Sequence, residues 1–393
     1  MSNPVVIVAA RRTAIGNFGG SLQNFSAAQL GAHLIRGLLA ETGLDPALVR
    51  EVILGQVLTA GCGQNSARIA ALQGGLPQTV PATTVNQVCG SGLKALELAF
   101  NALQADADAV ILAGGQESMS QSPYLDKSSR WGAKMGHQQL VDSMIQDGLW
   151  DAFHDYHMGT TAENLASRYQ LSRAEQDAFA LNSQQKCRDA VAAGRFDAEI
   201  LPFPIPQKKG EPLLFKTDEY PRPDTDAATL AKLKPCFSKD GSVTAGSSSG
   251  VNDGAALMML MRASRAAALG LKPLATVRGF ANVGCDPATM GLGPAFAVPE
   301  LLRRQGLKLD DIDLFELNEA FAAQSLAVLK ELGADVSKVN VNGGALALGH
   351  PIGASGARIA VSLLHEMHRR GSRRGVASLC VGGGMGIAML LEV

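Results

Sequence analysis

A cysteine at the start of a predicted helix is the first residue able to do covalent chemistry. Cys89 lies within 86–92, which reads Asn-Gln-Val-Cys-Gly-Ser-Gly and leads into an apolar helical segment. A thiol in this position faces the unpaired backbone N–H groups and the positive end of the helix, which favour the thiolate. The pattern indicates a nucleophile, and a small buried cysteine is the alternative interpretation.

A histidine stands in a second glycine-rich loop. His350 lies between Gly349 and Pro351 within 342–356, and these two neighbours restrict the backbone around the imidazole. This favours a positioned general base, and a capping or solvent-exposed histidine is the alternative. A dinucleotide-binding loop is disfavoured because the G-x-G-x-x-G spacing, the following strand and the ribose-binding acid are not in place.

A second thiol and an amide follow two predicted strands in the last third of the chain. Cys380 is followed by Val381 and three successive glycines at 382–384, which remove side chains beside the sulfur and expose backbone N–H groups suited to an oxyanion. The alternative is a buried strand cysteine before a flexible turn. Asn318 is predicted to cap a helix or to serve catalysis, and both roles need an exposed amide.

The elements that position these residues occur twice along the chain. Each copy has a strand that begins after an acidic residue, a Ser-Gly turn that opens a helix, and a buried strand that ends in a glycine pair. The matching segments are 51–57 and 311–317, 90–93 and 354–357, and 109–115 and 377–383. Two similarly built α/β halves are therefore expected.

The helix after each Ser-Gly turn is apolar on nearly every side. Leu93, Leu96, Phe100 and Leu103 form one stripe, Ala95, Leu98, Ala99 and Ala102 make the rest nearly apolar, and the helix after Ser355 is similar. A helix of this kind is buried all round. We therefore predict that both helices form a central layer between two sheets, which gives five layers in the order α-β-α-β-α.

The stretch between the halves differs from both of them. Residues 119–249 contain clusters of proline and several charges, which predicts an insertion rather than core. One helix within it is well specified, because Ser172 is suited to cap it, Glu175 completes a capping box and Gly194 ends it. The insertion is expected to be partly ordered and to cover part of the molecule.

Composition excludes several kinds of partner and site. The 393 residues carry 35 Lys and Arg against 36 Asp and Glu, so no global field attracts nucleic acid or an anionic membrane. The six cysteines form no C-x-x-C pair, which argues against zinc ribbons, iron–sulfur clusters and a disulfide framework. We recognise no secretory signal, membrane span or peroxisomal signal, and we predict reduced thiols, no bound metal and a cytoplasmic location.

Together, the segments around Cys89, Asn318, His350 and Cys380 resemble those of the thiolase family, and the match extends over essentially the whole chain. The resemblance implies an α/β, thiolase-like fold with one half from 1–118 plus 250–271, an inserted loop domain at 119–249 and a second half at 272–393. It also implies a homotetramer, arranged as a dimer of dimers. The implied activity is the reversible Claisen condensation of two acetyl-CoA molecules to acetoacetyl-CoA and CoA, with coenzyme A as substrate and product and no other cofactor.

The resemblance also implies a role for each residue of the site. Cys89 is the implied nucleophile, His350 the base that activates it, and Cys380 the acid and base on the substrate methyl group. Asn318, with the histidine, is implied to orient a water and the oxyanion site of the enolate, and the backbone of Cys89 and Gly382 to bind the acyl-enzyme oxyanion. The residues implied to lie near the acyl-CoA are Leu149, His157, Met158, Arg222, Phe237 and Ser249.

The preferred acyl length is read from the insertion. Segment 156–164 resembles the covering loop of short-chain biosynthetic thiolases, whereas Ser247-Ser248 and Met385 depart from the Asn-Ala and Gln that relatives often carry. A 3-ketoacyl-CoA thiolase of broader range is therefore one alternative. A condensing enzyme that uses an acyl carrier protein is disfavoured by the second thiol, Cys380, and a non-catalytic CoA- or lipid-binding member of the fold is the remaining alternative.

Overall fold

The computed structural model describes residues 3–393, and most of its strands form one large mixed sheet. The strands are β1 (Val5–Arg12), β2 (Gly16–Asn17), β3 (Val49–Gly55), β4 (Ala82–Val85), β5 (Val110–Ser118), β6 (Tyr124–Asp126), β7 (Leu140–Asp142), β8 (Trp150–Asp151), β9 (Tyr156–His157), β10 (Phe203–Ile205), β11 (Leu213–Phe215), β12 (Asn252–Arg262), β13 (Ala275–Gly284), β14 (Leu314–Leu317), β15 (Arg374–Val381) and β16 (Met385–Glu392). The large sheet runs β14-β15-β16-β13-β1-β12-β5-β3-β4, and β2 pairs with β12.

Helices cover this sheet on the outside and fill its middle. They are α1 (Ala27–Thr42), α2 (Ser66–Gln73), α3 (Ser91–Ala105), α4 (Met158–Arg168), α5 (Arg173–Ala192), α6 (Ala227–Ala231), α7 (Ala263–Ala268), α8 (Gly293–Gln305), α9 (Ala322–Leu332), α10 (Ala345–Leu348) and α11 (Ser355–Arg370). Helices α1 and α2 lie on the outer face of the first half. Helix α8 packs on β13, β15 and β16 of the second half, and α9 lies against α8.

The predicted pair of α/β halves is confirmed. The first half contains β1, α1, β3, α2, β4, α3, β5 and β12 in chain order, and the second contains β13, α8, β14, α9, α11, β15 and β16. Strands β3 and β5 run parallel, as do β14 and β15. Phe315 also forms a parallel bridge with Val339, in the place where β3 pairs with β4 in the first half.

The predicted central helix layer is also confirmed. Helices α3 and α11 touch, and each contacts strands of both halves. Their backbones approach so closely that a Cβ atom on Gly92 would lie 2.6 Å from the Ala357 nitrogen. The two halves of the sheet are joined where Val6 of β1 pairs with Thr276 of β13. The central helices therefore lie between the strands of the two halves, and those strands remain hydrogen-bonded to each other through β1 and β13.

Residues 119–249 contribute no strand to the large sheet within the part of the chain that the structure describes. Their strands form three two-stranded ribbons. The predicted capping box is present, because the Ser172 side chain accepts from the Glu175 N–H and the Glu175 side chain accepts from the Ser172 N–H at the start of α5. Gly194 follows the end of this helix with a φ of 64°. The insertion is tied to β1 by the buried Arg12, which pairs with Asp218 at 2.7 Å. The domain boundaries given above stay a prediction.

Candidate active site

The turn that carries Cys89 is held in an unusual backbone conformation. Val88 has a φ of 45°, which is rare for a β-branched residue and costs conformational energy. The Ser91 side chain holds the turn closed, since its hydroxyl donates to the Val88 carbonyl at 2.6 Å and accepts from the Gln87 N–H at 2.9 Å. Glycine is required next, because a Cβ atom on Gly90 would lie 2.9 Å from Val381. These restraints fix Cys89 at the entrance to α3.

The Cys89 thiol lies against an apolar wall and a hydrogen-bond donor. It packs against an apolar cluster that includes Val57, Leu58 and Ile352. Burial raises the pKa of the Cys89 thiol to about 11, although the nearby Gly382 N–H acts in the opposite direction. The backbone N–H groups lower the pKa, as the sequence predicts, but desolvation outweighs them and keeps the thiol protonated. A base has to remove this proton.

His350 supplies a neutral imidazole. Its ring is 5% exposed, and burial, with a smaller contribution from Arg358, lowers its pKa to about 3. The ring Nδ1 lies 2.6 Å from the Ser355 hydroxyl. Among the described residues, no atom lies within hydrogen-bond distance of Nε2. The imidazole therefore presents one nitrogen to the protein and keeps the other for a substrate or a thiol.

The loop that carries His350 is anchored from two sides. Its backbone N–H donates to the Asn252 side chain at 2.9 Å, and the Gly353 N–H donates to Glu117 at 2.9 Å. Glu117 also accepts from the Val57 N–H at 3.0 Å. Val57 belongs to the wall around Cys89, as does Ile352 of the histidine loop. A single buried carboxylate therefore joins the histidine loop to the wall of the thiol.

Cys380 approaches Cys89 from the second half of the molecule. It is 1% exposed and lies on β15 opposite Gly386 of β16. Burial raises the pKa of the Cys380 thiol, and the nearby thiol groups of Cys89 and Cys285 raise it further. The structure thus brings the two predicted cysteines together, and it adds a third thiol that sequence reasoning missed. Cys285 lies beyond the end of β13, and only the register of the β13, β16 and β15 strands brings it near Cys380.

The glycines after Cys380 are required by close approach and by backbone conformation. A Cβ atom on Gly382 would lie 3.1 Å from Val88. Gly383 and Gly384 have φ values of 83° and 82°, in the region that favours glycine. The turn therefore places the Gly382 N–H beside the Cys89 sulfur, which is the position of an oxyanion donor for an acyl group on that sulfur.

Asn318 does not cap a helix, so that prediction is wrong. Helix α9 begins at Ala322 with Phe321 in the N-cap position, since the residues before it stay extended and the Ser249 N–H donates to the Ala320 carbonyl at 3.0 Å. The Asn318 side chain is 1% exposed rather than exposed as expected. Across residues 3–393, neither its nitrogen nor its oxygen has a hydrogen-bond partner. Both atoms remain free to bind a water or a substrate oxygen.

Three of the residues predicted near the acyl-CoA form one group with Cys380. His157 caps α4 by accepting from the Gly159 N–H at 3.0 Å, and its ring stacks on Phe237 with centroids 4.8 Å apart. Met158 packs in the same apolar cluster as Cys380, with Phe237 at its edge. Burial lowers the pKa of His157. This group forms an apolar cover over the second thiol.

The other three lie further along the insertion. Leu149 ends a π-helical turn at Ile145–Leu149, in which a Cβ atom on Gly148 would lie 2.9 Å from Ile352. Ser249 lies beside the segment that contains Asn318, because its backbone N–H donates to the Ala320 carbonyl. Arg222 is exposed and lies apart from the stacked rings.

Arg222 lines a cavity of about 450 Å³, whose other walls include Met144, Tyr220, Gly250 and Val251. Met144 and Val251 also belong to the apolar wall of Cys89. The cavity therefore shares two residues with the apolar cluster on which Cys89 packs.

All six cysteines are free thiols. No cluster of three or more His, Cys, Asp or Glu side chains suited to a metal ion is found between residues 3 and 393. Over the same residues, no helix is both long enough and apolar enough to cross a membrane.

Two thiols, a neutral imidazole and an unpaired amide between two similar α/β halves are the groups that acyl transfer through a thioester on cysteine would need, which indicates an acyltransferase. The chain belongs to the thiolase family: the model for the thiolase N-terminal domain matches residues 5–264, and that for the thiolase C-terminal domain matches residues 271–393.

Similar proteins carry names consistent with this site. The chain is 61% identical over 387 residues to an acetyl-CoA acetyltransferase of Pseudomonas aeruginosa, with 98% of each chain covered. It is 58% identical over 389 residues to one of Chromobacterium violaceum, with 99% of each covered.

Solved structures agree over nearly the whole chain. The Bacillus anthracis acetyl-CoA acetyltransferase superposes with a TM-score of 0.97 at 46% identity, covering 99% of this chain and 98% of that one. Human mitochondrial 3-ketoacyl-CoA thiolase gives 0.95 at 42% identity, with the same coverage.

Proposed function

We propose that this protein is an acetyl-CoA C-acetyltransferase, which interconverts two acetyl-CoA molecules with acetoacetyl-CoA and CoA through an acetyl group on Cys89. The observation that carries the proposal is the placement of the partly buried Cys89 thiol near the Gly382 N–H, together with a neutral imidazole whose Nε2 is unpaired within residues 3–393. The relatives named as acetyl-CoA acetyltransferases at 61% and 58% identity support this substrate.

The first half of thiolysis uses both thiols in their protonated resting forms. His350 Nε2 takes the Cys89 proton while the sulfur attacks the keto carbon of acetoacetyl-CoA. The carbon–carbon bond breaks, and the enolate of acetyl-CoA takes the proton of the Cys380 thiol. The raised pKa of Cys380 suits this donor role, because a thiol rather than a thiolate is required. The products are free acetyl-CoA, acetyl-Cys89, a Cys380 thiolate and a protonated His350.

The second half restores every proton. Cys380 takes the proton of an incoming CoA thiol, the CoA sulfur attacks acetyl-Cys89, and Cys89 leaves as a thiolate that recovers its proton from His350. Condensation is the same sequence reversed. The Gly382 N–H faces the alkoxide of the acyl-enzyme steps, and the unpaired Asn318 amide can hold a water for the enolate oxygen.

Three further features belong to this proposal. Coenzyme A enters as substrate and product, with no resident cofactor, along the cavity lined by Arg222 and Val251. The protein works in the cytoplasm, in fatty acid metabolism, as a dimer of dimers. The tetramer is supported by four exposed apolar side chains on the β6–β7 hairpin and the turn between its strands, namely Tyr124, Trp131, Met135 and Leu140.

The test is a thiolysis assay with acetoacetyl-CoA and free CoA on the wild type and on Cys89→Ala. We expect turnover by the wild type and a loss of at least about a thousandfold in the variant, because no other residue replaces the nucleophile. Equal activity in both proteins would contradict the mechanism. An inactive wild type that still binds CoA would favour the non-catalytic alternative.

A further inference from the structure

We infer that Ser355 sets the tautomer of His350 and is therefore a positioning residue for the proposed reaction. The serine is the first residue of α11 and is fully buried. Its hydroxyl lies 2.6 Å from His350 Nδ1 and 2.8 Å from the Pro351 carbonyl oxygen. One hydroxyl therefore serves two partners.

The direction of each bond follows from the number of hydrogens available. A serine hydroxyl has one hydrogen, and a carbonyl oxygen can only accept. Without that hydrogen between them, the Ser355 and Pro351 oxygens would face each other with lone pairs at 2.8 Å, which is repulsive. The hydroxyl therefore donates to Pro351, and the remaining contact requires that Nδ1 of His350 carries a hydrogen and donates it to Ser355.

The consequence appears at the other ring nitrogen. A neutral imidazole has one N–H, so a hydrogen on Nδ1 leaves Nε2 with a bare lone pair. In the described chain this Nε2 is buried and has no protein partner. It can accept the Cys89 proton, and once protonated it becomes a donor for the alkoxide or enolate oxygen. The opposite tautomer would present a hydrogen to the thiol and could not act as its base.

The rest of the loop restrains the backbone but not the tautomer. Asn252 accepts the His350 backbone N–H at 2.9 Å, and Glu117 accepts the Gly353 N–H. Ser355 is thus the residue in contact with the ring nitrogen itself. Replacing it with alanine removes the acceptor of the Nδ1 hydrogen while leaving the backbone anchors in place.

The experiment compares wild type, Ser355→Ala and a control, Ser362→Ala. Ser362 lies two turns further along α11, is buried, and donates to Glu199 at 3.0 Å, so its loss reports damage to the helix alone. Proteins labelled with ¹⁵N-histidine are examined without substrate, and the His350 signals are assigned by their loss in His350→Gln. Thiolysis kinetics with acetoacetyl-CoA and CoA are measured on the same samples.

We expect the wild type and Ser362→Ala to show a protonated Nδ1 and an unprotonated Nε2. In Ser355→Ala, the Nε2-protonated form should increase and kcat should fall about tenfold to a hundredfold, while KM stays within about twofold. A protonated Nε2 in the resting wild type would overturn the inference, as would a Ser355→Ala protein with unchanged spectrum and kcat. The inference rests on the proposed function for its catalytic meaning, yet the spectrum needs no turnover. A protonated Nδ1 in a protein without thiolase activity would support the tautomer and count against the proposed function.

Discussion

Cys89 and Cys380 have the same side chain but different surroundings, and the difference assigns their chemistry. The Gly382 N–H lies near the Cys89 sulfur, in the region where the oxyanion of an acyl group on that sulfur would form. Cys380 instead packs with Met158 and Phe321 in an apolar cluster, and burial raises its pKa. The first thiol is placed to carry an acyl group, and the second is placed to give and take a proton at carbon.

A Cys380→Ser variant separates these two roles. Exchange of labelled CoA into acetyl-CoA needs the Cys89 nucleophile and His350, and it uses Cys380 only to take up and return the proton of the CoA thiol. A CoA thiolate needs no such proton transfer, so exchange should stay within about tenfold of the wild type. Condensation should fall about a hundredfold or more, because a serine hydroxyl is a poor base toward carbon. Both rates are measured with the same enzyme preparation. An equal loss of exchange and condensation would show that Cys380 is needed as much for acyl transfer as for proton transfer at carbon.

The sequence predicted candidate reactive residues at this scale but not their surroundings. Cys89, His350 and Cys380 could each be singled out because glycine or proline neighbours restrict the backbone around them, and the family resemblance implied their roles. The protonation state of Cys89 could not be predicted from the sequence, because it depends on how much apolar surface surrounds the sulfur in the folded protein. The position of Cys285 beside Cys380 was equally hidden, because it depends on strand register.

Among the elements, the contact between α3 and α11 matters most for the site, because Cys89 precedes one helix and the His350 loop precedes the other. Each helix contributes a glycine to the contact. In a helix, Gly to Ala usually gains up to about 1 kcal/mol of stability. A Gly92→Ala side chain would lie 2.6 Å from the Ala357 nitrogen, and overpacking of this kind costs about 1 to 3 kcal/mol.

Because the clash is with a backbone atom, we take the upper end of the overpacking cost, about 3 kcal/mol, less a helical gain of about 1 kcal/mol, and expect Gly92→Ala to lower the free energy of unfolding by about 2 kcal/mol. Denaturant unfolding measures this quantity. Gly284→Ala is the matched control, because a Cβ atom there meets no described atom within 4 Å, and its effect should stay within about 0.5 kcal/mol. If Gly92→Ala is as stable as the wild type, α3 and α11 can move apart easily, and their contact does not fix the positions of Cys89 and the His350 loop.

Glu117 joins β5 to the histidine loop and makes stability depend on pH. Burial raises the pKa of Glu117 to about 7 from an ordinary value of 4.5. Because the folded protein holds this proton more tightly than the unfolded chain does, the contribution to stability is complete below about pH 4.5 and is lost as the pH rises through about 7. Glu117→Gln cannot titrate, so its free energy of unfolding should fall less between pH 5 and 8 than that of the wild type.

Urea unfolding of the wild type and Glu117→Gln at a series of pH values gives, for each protein, the slope of the free energy of unfolding against pH. Groups other than Glu117 titrate in both proteins, so the difference between the slopes isolates this carboxyl. If the free energy of unfolding changes equally with pH in both proteins, Glu117 is ionised throughout this range, because the N–H groups of Val57 and Gly353 stabilise its carboxylate.

The sequence specified these elements better than their junctions. The apolar helix after Cys89 and the capping box at Ser172 follow local patterns, and both are found as predicted. Asn318 was misjudged because local sequence favours a cap, whereas a tertiary contact of Ser249 with Ala320 keeps the chain extended until Phe321. Local signals therefore fixed the helices, and contacts across the chain fixed where some of them begin.

In the whole molecule, the site lies where loops of both halves and the inserted segment meet. The insertion supplies the stacked pair His157 and Phe237 and places Met158 on Cys380. This cover leaves little room beside the second thiol. We expect activity on 3-ketoacyl-CoA substrates to fall sharply beyond about four to six carbons, because longer chains would have to displace these side chains.

A panel of 3-ketoacyl-CoA substrates of increasing length measures this directly. If Met158 limits the length of the acyl chain, Met158→Ala should accept longer 3-ketoacyl-CoA substrates. Met261→Ala, which changes a buried methionine of β12, is the control. Activity that stays flat through long chains in the wild type would favour a thiolase of broader range.

Assembly is the other property of the whole molecule. Trp131 and Met135 are 89% and 99% exposed in a single chain, which is unusual for large apolar side chains and marks a contact surface. Light scattering should give a mass of four chains of 41.0 kDa each, and Trp131→Ser should reduce it to two. Phe296→Ser, which changes an exposed aromatic residue on α8, should leave it unchanged. A wild-type mass near one chain would refute the tetramer.

The most direct measurement is the identification of the acylated residue. The protein is mixed with acetyl-CoA, quenched in acid, digested and analysed by mass spectrometry, with Cys89→Ala and Cys380→Ser treated in parallel. The account predicts one acetyl group on the peptide that contains Cys89, present in the wild type and in Cys380→Ser and absent from Cys89→Ala. An acetyl group on a different cysteine, or acetoacetyl-CoA formed at the wild-type rate by Cys89→Ala, would contradict it.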